Sequence, residues 1–77
     1  MPRSKLVHEV RLGQVRATVW EESRPEGMKH SVALHRMSRI DNHWLPVERF
    51  EPEDLPILAE ALDLAHLWIC EQEVLIG

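Results

Sequence analysis

Phe50-Glu51-Pro52-Glu53-Asp54-Leu55-Pro56 is where this chain changes its period. Upstream, apolar residues alternate with polar ones as in half-buried strands. Downstream they recur at the 3.6-residue spacing of a helix. Pro52 suits a first helical position, and the acids around it suit the positive end of a helix dipole. Pro56 would remove a hydrogen bond deeper in a helix. An initial turn at 52–54, with Asp54 capping a helix from Leu55 to about Gln72, accommodates both prolines.

At ~100° per residue, Leu55, Leu58, Leu62, Ala65 and Ile69 fall on one stripe of that helix. Ile57, Ala61, Leu64 and Trp68 fall on a second, roughly 105° away. An ordinary surface helix hides one stripe of ~100°. The expectation is that one stripe packs on the chain's own sheet and the other, Ile57, Ala61, Leu64 and Trp68, forms a homodimer interface. Glu60, Asp63 and Glu71 lie opposite.

Upstream of the switch, Val15, Ala17 and Val19 alternate with Arg16, Thr18 and Trp20. Before Gly13 the apolar parity reverses, on Leu6, Val10 and Leu12, so Gly13 is expected at a bulge or sharp bend. Ser23-Arg24-Pro25-Glu26-Gly27 is turn chemistry. A further strand runs from about Lys29 to Ile40, with Val32 and Leu34 toward the core and Ala33 and His35 on the open face. Asp41-Asn42 is a tight turn, and Pro46 places the last strand at an edge. The fold class is therefore α+β, one domain over 1–77. A curved antiparallel sheet of three to four strands (about 6–12, 14–21, 29–40 and 44–50) precedes a single C-terminal helix at about 55–72.

Seventy-seven residues bury only ~60–65% of the surface that the unfolded chain exposes, so a staple is expected. Cys70 is the single cysteine and excludes an intrachain disulfide. That leaves oligomerisation and fits a reducing, cytoplasmic setting. The basic start Met1-Pro2-Arg3-Ser4-Lys5 leads into no apolar core of a signal peptide. No apolar run reaches the ~20 residues of a membrane span.

The net charge of −4 hides a split. Residues 1–50 hold all nine Lys/Arg against six acids, whereas residues 51–77 hold seven acids and no Lys or Arg. A basic sheet is thus backed by an acidic helix. The five histidines have no compact metal-ligand spacing, and one cysteine cannot build a thiolate zinc site. There is no Gly-rich phosphate loop and no catalytic constellation, so neither an enzyme nor a cofactor is expected. Arg16, Trp20, Lys29, His35, Arg36 and Arg39 are the candidates for a nucleic-acid surface, with Arg11 and Trp44 behind them. Cations follow phosphates and planar rings stack on unpaired bases.

The order of these pieces resembles the positive-cofactor-four-like coactivators. The likeness rests on Leu12-Gly13-Gln14-Val15-Arg16, a strand reaching Leu34-His35-Arg36, and Phe50-Glu51-Pro52-Glu53 opening one helix, and spans about residues 9–72. It implies a helix-paired homodimer that binds single-stranded DNA on basic sheet faces. Arg16 and Arg36 then match positions on the DNA backbone, and Gly13 matches the glycine at a strand bend. Two departures stand out. Only Arg49 remains of a basic cluster before the helix, and the chain has just two lysines, Lys5 and Lys29. Fewer neutralised phosphates imply weaker, less salt-dependent binding. The chain is also similar to small uncharacterised bacterial proteins that share its Ala17-Thr18-Val19-Trp20 strand end and Asp54-Leu55-Pro56 helix start.

The expectation is a non-enzymatic module for single-stranded DNA or RNA, of low sequence specificity, in transcription or DNA maintenance. Its location would be cytoplasmic and nucleoid-associated. The alternative is a protein-interaction module or inhibitor that meets its protein partner through the acidic helix surface.

Overall fold

The computed structural model of the chain describes residues 4–76; Met1–Arg3 of the basic N-terminal stretch lie outside the described residues. Four antiparallel strands, β1 (Ser4–Leu12), β2 (Val15–Arg24), β3 (Gly27–Ile40) and β4 (His43–Val47), form a meander in that spatial order. A single 3₁₀ turn, Pro52–Asp54, then opens α1 (Leu55–Ile76). This is the expected α+β architecture, and the predicted initial turn at 52–54 is present. No helix among the described residues is long and apolar enough to cross a membrane.

The turns follow from residues able to take positive φ. Gly13 sits at φ +60° in the two-residue link between Leu12 and Val15, which pair with one another. It is a hairpin turn with glycine in the first central place, not a bulge. A two-residue link returns the chain in register, and this accounts for the apparent parity reversal. The bulge of this hairpin lies earlier, between Leu6 and His8. Asp41 and Asn42 both have positive φ, as the tight β3–β4 hairpin requires. β4 ends at Val47, short of the expected Phe50, because Glu48–Glu51 leave the sheet to climb toward the helix.

Val10, Val15, Ala17 and Val19 meet Leu58, Ala61 and Ala65 in the core. Among the described residues, Val15 and Val19 are the largest fully buried side chains. The helix lies over β1 and β2 and barely reaches β3. Leu34 therefore packs at the margin of the core, while Val32, on the same sheet face, stays 37% exposed.

The assignment of helix stripes is corrected here. The seam between the two stripes faces the sheet, because the alanines at its centre, Ala61 and Ala65, let the helix axis come closest. Ala61 is completely buried, and Ile57 and Trp68 pack around the same core, so these three are committed within the chain. Of the residues expected at a dimer interface, only Leu64 is left exposed; on the other flank Leu55 and Leu62 are exposed as well.

Candidate nucleic-acid interface

Because side chains alternate across a strand, the register fixes which residues share the face away from the helix. Arg16 lies opposite His35, Thr18 opposite Ala33, Trp20 opposite Ser31 and Glu22 opposite Lys29. β1 adds Leu6, Glu9 and Arg11, paired with Trp20, Thr18 and Arg16. From β4, Trp44 pairs with Arg39 and Pro46 with Met37. The open face therefore carries Arg11, Arg16, Trp20, Lys29, His35, Arg39 and Trp44 together. Five of the six expected site residues, Arg16, Trp20, Lys29, His35 and Arg39, lie here, as do the two secondary candidates.

Arg36 does not, and its expected role is corrected. It is opposite Val15 and Val47 in the ladders and so faces the helix side. Its Nε donates to the carbonyl of Arg49 at 3.2 Å and lies 3.3 Å from Asp54 Oδ2. Its Nη2 is 3.9 Å from Glu51. Asp54 is also the acceptor for the Glu51 backbone N–H at 2.8 Å. Glu53, through a hydrogen bond and its charge, raises the Glu51 carboxyl; Asp54, at the shorter distance, is the closer ionic partner. Arg36 thus ties β3 to the start of α1. Arg36→Ala should lower stability by about 1–2 kcal/mol, because a largely shielded charge-assisted contact is lost. A thermal melt at fixed concentration should fall by on the order of 5–10 °C, with oligonucleotide affinity unchanged.

Among the described residues, Arg16, Lys29 and Arg39 have no carboxylate within ion-pair distance. The Arg16 guanidinium donates to the carbonyls of Gly13 and Val15 at 2.9 and 3.2 Å, which holds it over the middle of the face. Arg39 donates to Asn42 Oδ1 at 3.2 Å. Arg11 is paired with Glu9. At the Lys29 end, Glu22 accepts from Arg24 and Ser31, and the Arg24 hydrogen bond keeps its carboxyl below the usual range. That acid stays ionised at neutral pH and weakens the positive potential near Lys29. The cationic centre lies at Arg16 and Arg39, with His35 between them.

Two adjoining depressions of about 320 and 350 Å³ cross this centre and share Arg16 and Met37. Trp44 borders the first at 55% exposure, and Thr18, His35 and Pro46 line the second. Trp20 is half-buried, its Nε1 donating to Thr18 Oγ1 at 3.0 Å. The two rings flank the Arg16–His35 row, each about 13 Å away at ~3.3 Å per residue. Trp44, named second to Trp20 from the sequence, is the more available stacking surface.

On the helix side, Trp68 is wedged between two histidines that sequence reading left as scattered surface residues. His8 stacks on its ring at 4.8 Å with planes 6° apart, and His30 meets its edge at 6.0 Å. His30 Nε2 lies 3.7 Å from Glu21. These groups dock the second half of α1. The bulge after Leu6, which sets the side His8 faces, has no signature in the local sequence.

Comparison of the chain with family models, curated proteins and solved structures finds no match.

Proposed function

We propose that this chain is a non-enzymatic module that binds single-stranded DNA or RNA across the open face of its sheet, with little sequence preference. The observation that carries the reading is the row of cations without acidic partners, Arg16, Arg39 and, toward one end, Lys29, set among His35, Trp44 and Trp20 on one uncovered face. Cationic side chains at intervals with rings between them can follow a phosphate chain while its bases stack. No face of a duplex is needed for that. The resemblance to positive-cofactor-four-like coactivators points the same way for Arg16. A role in transcription or DNA maintenance, and a place in the cytoplasm at the nucleoid, would follow from that chemistry.

The test is a titration of a fluorescent single-stranded oligonucleotide at several salt concentrations. Three neutralised phosphates predict a log–log slope near −2, since single strands give about −0.7 per phosphate. Affinity should then fall roughly 20-fold between 50 and 200 mM salt. Absence of binding at tens of micromolar protein and 50 mM salt would end this reading.

A further inference from the structure

The sheet has three stretches of outer edge, and they differ in how they are protected. β1 carries a bulge between Leu6 and His8 and the charged residues Lys5, Glu9 and Arg11. β4 is five residues long and contains Pro46. Bulges, charges, prolines and shortness are the means by which natural sheets block unwanted pairing. The third stretch has only one of them, a single charge. β4 pairs only with Arg36–Ile40 of β3, so among the described residues Gly27–His35 has no strand on its outer side. From Met28 to Leu34 this edge has no proline and no register break, and its single charge, Lys29, projects onto the open face.

The ladder shows which backbone groups are free. Met37 N–H donates to the carbonyl of Gln14, on the β2 side. Backbone direction alternates along an antiparallel strand, and β3 pairs with β2 without a shift. The N–H and C=O groups of Met28, His30, Val32 and Leu34 therefore point outward. Beside them lies apolar surface on the helix side. A groove of about 370 Å³ separates Met28, Lys29 and His30 from Ile69 and Glu73 of α1. Leu62, one heptad before Ile69, is on the same stripe of the helix and 43% exposed. Met28, Val32 and Leu62 together leave on the order of 300 Å² of apolar surface uncovered, as much as the largest patch of a typical monomer.

We infer that the outer edge of β3 between Met28 and Leu34 is the interface for a second copy of this chain, paired antiparallel about a two-fold axis normal to the sheet. Such an axis matches outward N–H and C=O groups with their own counterparts. It joins two sheets into one and keeps both helices on one side. About 23 Å of paired backbone would add to this apolar surface, where each partner of a standard interface contributes ~800 Å². The Glu60, Asp63 and Glu71 face of α1 points away from this edge; Glu73 lines the groove at its Met28 end, and a two-fold axis at Ser31 sets the two copies of Glu73 at opposite ends of the paired stretch. The assignment is independent of the nucleic-acid reading.

Sedimentation equilibrium of the full chain between 1 and 100 µM tests it. The wild type should approach twice the 9.0 kDa of one chain. Val32→Pro removes only an outward N–H, which an edge position tolerates. It should sediment as a monomer with an unchanged far-ultraviolet spectrum, while Leu64→Glu stays dimeric. If Val32→Pro does not fold, Val32→Lys takes its place, with the same monomeric result expected. In addition, the outward amides of Met28, Val32 and Leu34 should exchange more slowly as concentration rises. A wild type that remains monomeric at 100 µM would overturn the assignment, as would a folded variant at Val32 that remains dimeric.

Discussion

Replacing Arg16 and Arg39 together by alanine is expected to weaken oligonucleotide binding on the order of 50-fold at 50 mM salt. Each phosphate contact on a single strand carries about 0.7 in the salt slope, and the double variant should therefore flatten the slope by about 1.4. Both side chains lie on the open face without an acidic partner, and neither contributes to the core. Stability should stay within about 0.5 kcal/mol of wild type, as for surface changes away from special features. Arg36→Ala is the complementary control, since it should cost stability and leave affinity intact. Trp44→Ala separates stacking from charge. It should lose about 1–3 kcal/mol for one stacked base without changing the slope.

The second large effect lies in the core. Ala61→Leu places three extra heavy atoms where α1 approaches the sheet most closely, at a residue with no exposed surface. Overpacking of this kind costs about 1–3 kcal/mol. For a chain of this size a thermal melt should fall by roughly 10 °C. Leu64→Glu, one turn further along the same predicted stripe, is 39% exposed and should change the melt little. Concentration has to be held fixed in both measurements, because self-association makes the midpoint concentration-dependent. Equal effects from the two substitutions would mean that the helix is rotated from the orientation described.

These contrasts mark what could be read from residues and what could not. The period switch at Phe50–Pro56 revealed the single helix, and the Val15–Trp20 alternation with two glycine-bearing turns revealed the sheet. Both signals are local, depending on spacing and on φ preferences. The rotation of α1 was not legible. Angles on a helical wheel identify an apolar arc, but its seat depends on side-chain size, and the small Ala61 and Ala65 decide that here. Arg36 was misplaced for a related reason. Its face depends on counting without interruption from Val32 through a long strand, and β3 keeps that count with no register shift. The pairing of His8 and His30 around Trp68 joins residues from three elements, and no local pattern encodes such a contact. That Arg16, Trp20, Lys29 and His35 share one face was legible because period 2 alone specifies it.

The three tryptophans allow the central claim to be tested directly. Trp44 and Trp20 belong to the open face, and Trp68 is half-buried between His8 and His30 on the other. Their indole N–H signals, resolved in a ¹⁵N-labelled sample and assigned by single substitutions, can be followed as a single-stranded oligonucleotide is added at low salt. The account predicts that Trp44 shifts most and Trp20 shifts with it, while Trp68 holds its position. Movement of Trp68 alone, or of none of the three at saturating oligonucleotide, would contradict it and turn attention to the acidic helix surface as the functional side.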